Sequence, residues 1–184
     1  MVQHQGDRAR FCGLLLGCFA ALGGLVATAG WLGAPALVGA LTSTLTPPEY
    51  AEAVAVARLS WLSAGALIVI SHLIAVHNAA HRFLLPTLAH LPAYLGMGLL
   101  SLAWGHRFGI VVLAWGMLTG YAGALPMLLR GTTREIVLDR GCLAKWPEAR
   151  RVLLRMPAVL VSMLCFTIYG TCLLYTSDAA DEED

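Results

Sequence analysis

The hydrophobic residues of this chain are gathered into five long runs that contain no Asp, Glu, Lys or Arg. The runs are Phe11–Leu41, Leu59–His81, Phe83–His106, Phe108–Leu129 and Met156–Thr176. A bilayer core about 30 Å thick requires about 20 apolar residues of helix, and a charge inside it is costly. Each run is long enough to cross, so the pattern predicts an all-α polytopic membrane helix bundle with about five transmembrane helices.

The polar segments between the runs divide the chain. They predict an amino-terminal segment over 1–10, a four-helix membrane region over 11–129, a basic loop over 130–155, a fifth membrane helix over 156–176 and an acidic tail over 177–184. After the first helix we expect the stretch 49–58 to lie as a short helix on the membrane surface. Pro92 falls inside the third run, where its missing backbone N–H should bend the helix.

Composition excludes a soluble globular domain. Hydrophobic residues make up 58% of the 184 residues and charged residues 12%, against about 45–50% and about 25% in ordinary soluble domains. The net charge of +1 hides an asymmetry, because five of the last seven residues are acidic and the rest of the chain carries +6. The body of the protein is therefore cationic and its end acidic.

The distribution of Lys and Arg predicts an orientation, because positively charged loops stay on the cytoplasmic side. Ten of the twelve lie in the segment 1–10, at Arg82 or in the loop 130–155, and Arg58 and Arg107 fall on the other side. We therefore predict a cytoplasmic amino terminus and a cytoplasmic 130–155 loop. That loop is read as a topology determinant or an anionic-lipid contact, and not as a nucleic-acid site, since acidic residues alternate with its basic ones.

Pairs of glycines four residues apart predict close helix packing. Small residues at this spacing let helix backbones approach each other in lipid. The pairs are Gly13 with Gly17, Gly105 with Gly109, and Gly116 with Gly120. We expect the last two pairs to be packing positions.

Candidate catalytic and metal chemistry is sparse. His77 and His81 have the i, i+4 spacing that places two imidazoles on one helix face, but no intramembrane carboxylate completes a ligand set. We expect both to lie at the membrane interface, near Arg82. Ser60, Ser63 or Ser71 beside His72 lacks an acidic residue to orient the imidazole. The five cysteines show no metal-ligand spacing. The sequence predicts no enzyme, no metal and no cofactor.

Several short motifs follow one another through the middle of the chain. His81-Arg82-Phe83-Leu84-Leu85-Pro86 precedes Gly109-Ile110, Leu113-Ala114-Trp115-Gly116, Leu125-Pro126 and Arg155-Met156-Pro157. This order resembles the MurJ (MviN) family of lipid II flippases, in the multidrug/oligosaccharidyl-lipid/polysaccharide exporter superfamily. In that family a helix ends in Arg-Phe before a proline-started helix, and a glycine-rich helix leaves through Leu-Pro. The resemblance covers residues 8–172, is strongest over 72–130, and is similar to the family's spans three to seven.

The resemblance implies transport of the lipid-linked cell-wall precursor lipid II, for peptidoglycan biosynthesis, by alternating access in the bacterial inner membrane. The implied partners are membrane lipids and this precursor. The family's cavity arginines lie mainly in spans one, two and eight, so no residue here inherits their role. Arg82, with His81 and Asn78, is the nearest candidate for contact with the substrate headgroup. The alternative for Arg82 is an arginine at a helix end that reaches the lipid headgroups.

Two alternatives concern the whole chain. A string near the end, Cys172 to Glu182, resembles translated sequencing adapter, so we expect a fragment of a flippase; the alternative is a natural acidic tail. The other function considered is a small, non-transporting membrane protein that assembles through its glycine-rich helix faces.

Overall fold

The computed structural model describes residues 2–41, 45–132, 135–137 and 140–155. Up to Thr132 the chain forms five α-helices: α1 Val2–Leu41, α2 Pro47–Ala79, α3 Leu84–Leu88, α4 Leu91–Phe108 and α5 Val111–Thr132. The chain divides into two compact units, Met1–Cys142 and Leu143–Asp184. All five helices belong to the first unit. In the second unit a helix covers 146–155. The Nζ atom of Lys145 lies 4.0 Å from a carboxylate oxygen of Glu148.

The all-α membrane architecture is confirmed. Four helical segments of the described chain are long and apolar enough to cross a bilayer: Gly6–Leu41, Pro47–Ala79, Leu84–Phe108 and Val111–Thr132. They correspond to the first four predicted runs. The fifth predicted span, 156–176, lies outside the described residues. The first helix begins at Val2, so it includes the segment expected to precede the membrane region.

Two local expectations at prolines are corrected. The stretch 49–58 does not form a separate surface helix, because α2 runs without interruption from Pro47 to Ala79. Two prolines suit its first turn, where no N–H donor is needed, and the carboxylate of Glu49 accepts the backbone N–H of Thr46 at 2.8 Å. The third run is broken just before Pro92, which lies in the first turn of α4 rather than bending a continuous helix.

Helix α2 is the centre of the bundle, with α1 packed against one side and α5 against another, while α4 packs on α5. The buried apolar core lies where α2, α4 and α5 meet. Its members are Ile70, Leu73, Ala89, Ala93, Tyr121, Ala124 and Leu128. Many other large apolar side chains are exposed on the helix surfaces, as expected where lipid replaces water around the bundle.

Two pairs of glycines bring helix backbones close together. A Cβ atom added at Gly23 of α1 would lie 2.5 Å from the carbonyl oxygen of Gly65 in α2, and one added at Gly96 of α4 would lie 2.5 Å from the carbonyl oxygen of Gly116 in α5. Real Cβ atoms do not approach backbone atoms so closely. Both helix pairs therefore cross where neither backbone carries a side chain.

The first unit has two ends, which differ in charge. The end formed by the start of α1 and the ends of α2 and α5 carries Arg8, Arg82 and Arg130, and we call it the basic end. The opposite end carries Pro47, Pro48 and the α4–α5 turn, and we call it the proline end. Both α2 and α5 run from the proline end to the basic end, so their carbonyl termini favour the nearby arginines.

Candidate functional site

The basic end contains all three residues that the sequence nominated for substrate contact, and the way α2 terminates determines their positions. His81 adopts a left-handed backbone conformation with φ of 57°. Its N–H bonds the carbonyl of Asn78 at 3.0 Å, and the N–H of Arg82 bonds that of His77 at 3.0 Å. This is the Schellman arrangement, in which glycine is the usual left-handed residue. The turn directs the chain after His81 away from the helix axis.

Arg82 is held by α5. Its Nη1 donates to the carbonyl oxygen of Gly131 at 2.9 Å, and Nη2 lies 4.0 Å from a carboxylate oxygen of Glu135. Its side chain nevertheless remains 48% exposed. The guanidinium therefore caps the end of α5 and still presents donors outward.

His81 and Asn78 are both exposed beside Arg82. The His81 ring makes an edge contact with Phe83, with ring centroids 6.3 Å apart. The structure thus brings the three nominated residues to one exposed corner of the bundle, at the junction of α2 and the following turn.

His77 does not reach outward beside His81 as expected. It is buried, with 1% exposure, and its Nε2 lies within hydrogen-bonding distance, 3.1 Å, of the carbonyl oxygen of Leu128 in α5. A Cβ atom added at Gly131 would stand 2.5 Å from the imidazole, so that glycine makes room for the ring. The spacing in the sequence grouped His77 with His81. In the structure α5 covers His77 and leaves His81 exposed.

The start of α1 completes the basic end. Arg8 donates from Nη2 to the carbonyl oxygen of Ala79 at 2.8 Å, which satisfies a carbonyl that the end of α2 leaves open. After α5 the chain returns to α1, and the N–H of Val137 bonds the carbonyl of Ala9 at 3.1 Å. Arg8 and Glu135 were not nominated from the sequence. Their separation from Arg82 along the chain left no local signal to find them.

The four glycines nominated for packing differ in surroundings. A Cβ atom at Gly116 would stand 2.6 Å from backbone atoms of Gly96 and Met97, and one at Gly120 would collide with the backbone of Ala93. At Gly105 it would meet no neighbouring atom within 4 Å in the described chain. Gly109 has φ of 61° and ψ of −147° in the turn before α5, and its close neighbour is the Glu52 carboxylate.

Comparison with known protein families identifies the family of this chain. The sequence model of the family described as lipid II flippase MurJ matches residues 1–180. The chain belongs to the MurJ lipid II flippase family. No curated protein matches the chain, and no solved structure matches it.

Membership in the MurJ family makes this a multi-pass protein of the bacterial inner membrane, in a family of transporters rather than catalytic enzymes. Two of the three serines considered as nucleophiles bond within their own helix. Ser63 and Ser71 donate to the carbonyls of Leu59 and Leu67, four residues earlier, at 3.0 and 2.8 Å. Hydroxyls in membrane helices commonly bond the preceding turn in this way.

His72, the base considered beside those serines, is also engaged elsewhere in this MurJ-family chain. Its Nε2 lies 3.2 Å from the carbonyl oxygen of Cys12, and its ring stacks on Phe19 with centroids 5.0 Å apart. Within the described residues no group of three or more His, Cys, Asp or Glu side chains could hold a metal ion. His72 therefore joins α1 to α2.

Proposed function

We propose that this chain contributes membrane helices to a flippase that moves the lipid-linked cell-wall precursor across the bacterial inner membrane by alternating access. The observation that carries the proposal is the family match over residues 1–180, together with four membrane-crossing helices in one packed unit. Alternating access requires groups of helices that move as units around a substrate site.

Contacts within the bundle support its movement as one body. The glycine pairs bring backbones together in both helix hairpins. Arg8, His77 and Arg82 each join a different pair of segments at the basic end through a backbone carbonyl. Rocking of such a bundle would then displace its surface while its internal contacts stay in place.

We further propose that Arg82, with His81 and Asn78, meets the headgroup of the precursor at the basic end. The headgroup of lipid II carries a diphosphate, and guanidinium donors suit phosphate oxygens. Arg82 is half exposed although one nitrogen is used by Gly131. Positively charged loops favour a cytoplasmic position for this end, which is the side where the precursor would be collected.

The test is rescue of a bacterium depleted of its own flippase, comparing the 184-residue chain with the full-length gene recovered from the source. We expect rescue by the full-length protein and none by the chain alone, because a single helix bundle has no second bundle to close against. In the full-length protein, Arg82→Gln should reduce rescue, while Arg107→Gln at the proline end should not. A folded but inactive full-length protein would contradict the flippase proposal.

A non-transporting membrane protein that assembles through glycine faces is the second candidate. It is favoured by glycines whose faces are open in the described chain, because a Cβ atom at Gly98 or Gly105 would meet nothing within 4 Å. Cross-linking between cysteines placed beside these glycines would support it. Efficient dimer formation by the short chain, with no rescue by the full-length gene, would favour assembly over transport.

A further inference from the structure

Arg58 is a cation placed well inside helix α2. It lies 11 residues after the first residue of the helix, Pro47, and 21 residues before the last, Ala79. Arginine inside a membrane-spanning helix is costly unless an opposite charge or hydrogen-bond acceptors compensate it. What compensates Arg58 is therefore a question about function.

In the part of the chain that the structure describes, Arg58 packs against an aromatic ring. The guanidinium carbon of Arg58 lies 5.4 Å from the ring centroid of Trp31 in α1, within the range of a cation–π interaction. Its Nε is buried and has no hydrogen-bond partner among the residues the structure describes. Arg8 and Arg82, in contrast, each donate to a backbone carbonyl.

The depth of Arg58 matches a membrane interface. From Arg58 to Ala79 the helix advances 21 residues, which at 1.5 Å per residue is about 32 Å. The hydrocarbon core of a bilayer has nearly the same thickness, about 30 Å. Ala79 lies at the basic end beside Arg8 and Arg82, which suit the headgroups of one leaflet. Arg58 then lies at the level of the phosphate groups of the other leaflet.

We propose that Arg58 and Trp31 form a binding site for the phosphate group of a membrane lipid at the proline end. A guanidinium that stacks its face on an aromatic ring keeps its N–H donors in the plane of its edge, where they can meet an oxyanion. Nε is covered within the bundle, so the phosphate would meet the two terminal nitrogens and compensate the charge of the guanidinium rather than bond Nε. Arg58 is half-buried and Trp31 is 38% exposed, so the site is open to a ligand from outside the chain.

Two lipids carry the required chemistry. One is a bilayer phospholipid with a phosphodiester, and the other is a polyprenyl diphosphate of the kind that carries cell-wall precursors. The site does not depend on the transport role proposed above, since either lipid would compensate Arg58.

The experiment is a native mass spectrometry titration of the purified full chain in detergent. Its three ligands are dioleoyl phosphatidylglycerol, farnesyl diphosphate and, as a phosphate-free lipid, dioleoylglycerol. We expect Arg58→Gln to raise the apparent Kd of both phosphate ligands about tenfold. Trp31→Leu should raise the Kd less, because it leaves the charge in place, and Arg58→Lys should retain part of the affinity. Arg107→Gln is the matched control, also at the proline end.

The outcomes separate cleanly once circular dichroism shows that each variant keeps its helix content. If the unsubstituted chain binds phosphatidylglycerol more tightly than farnesyl diphosphate, the site is a phospholipid site. The opposite order identifies a precursor site. Unchanged phosphate-lipid affinity in Arg58→Gln and Arg58→Lys would overturn the proposal. So would equal binding of dioleoylglycerol, or an equal loss in Arg107→Gln.

Discussion

The carbonyl oxygen of Gly116 lies 2.5 Å from the point where a Cβ atom on Gly96 would stand. The same distance separates the carbonyl of Gly65 from a Cβ atom added at Gly23. The hairpins α1–α2 and α4–α5 thus use the same device, a glycine from each helix at the crossing point. The hydrophobic effect contributes little between helices in lipid. Because glycine has no side chain, the two backbones come close enough for dispersion contacts to hold them together.

We predict that Gly96→Ala destabilises the bundle by about 1–3 kcal/mol, because the new methyl group must displace the backbone of α5. Gly98→Ala is the matched control on the same helix, since a Cβ atom there meets nothing within 4 Å. Thermal unfolding in detergent, followed by circular dichroism, measures both. Equal melting temperatures for the two variants would show that α4 and α5 do not cross at this glycine.

At the end of α2, His81→Gly should stabilise the protein by about 0.5–1 kcal/mol. His81 holds a left-handed conformation that costs a residue with a Cβ atom about that much, and glycine adopts it freely. His81→Val should destabilise, because branching at Cβ increases the clash. Unfolding in a denaturing detergent series gives the free energies. A loss of stability in His81→Gly would mean that the imidazole contributes more than its backbone strain costs.

The turn between α4 and α5 offers a contrast between two glycines that share a sequence motif. Gly109→Ala should cost about 1–3 kcal/mol, because φ of 61° with ψ of −147° is a region that only glycine enters readily. Gly105→Ala should be neutral or slightly stabilising, since it lies in open space within α4. If melting temperatures fall equally for the two variants, the turn is not strained.

Arg82 should matter more for its bond to Gly131 than for its pairing with Glu135. The ion pair is 4.0 Å long and partly exposed, and such pairs contribute between about 0 and 1 kcal/mol. We therefore expect a double-mutant cycle of Arg82→Gln and Glu135→Gln to give a coupling energy below about 0.5 kcal/mol. Arg82→Gln alone should cost about 1 kcal/mol, the typical net value of an intramolecular hydrogen bond. A coupling energy above that single loss would reverse the ranking.

Cysteine labelling can test the predicted orientation, but the native Cys142 of the basic loop is poorly suited to it. That thiol is 6% exposed and donates to the carbonyl of Val137 at 3.1 Å, so it should label slowly from either side. Ala144, which is exposed, is a better position. In a cysteine-free background, Ala144→Cys should react with an impermeant maleimide in inverted vesicles and remain unlabelled in right-side-out vesicles. The reverse pattern would place the basic loop outside the cell.

The sequence by itself determined that the chain forms membrane helices and roughly where they lie. A charge-free run of sufficient length has one stable form in lipid, because only a helix satisfies its backbone hydrogen bonds internally. The first four runs accordingly match the spans in the structure. The family was also readable from the order of short motifs, which needs no knowledge of contacts.

Only the tertiary structure decided which helices touch and what each polar residue does. His77 and His81 look equivalent in sequence, but packing of α5 buries the first and leaves the second exposed. Likewise, the sequence predicts Arg58 at the end of a short surface helix, whereas in the structure α2 continues through that position with Trp31 beside it. Hydropathy reports whether a segment enters the bilayer. It carries no information on the partner face, because in lipid the choice of neighbour depends on shape and on single polar contacts between residues far apart in the chain.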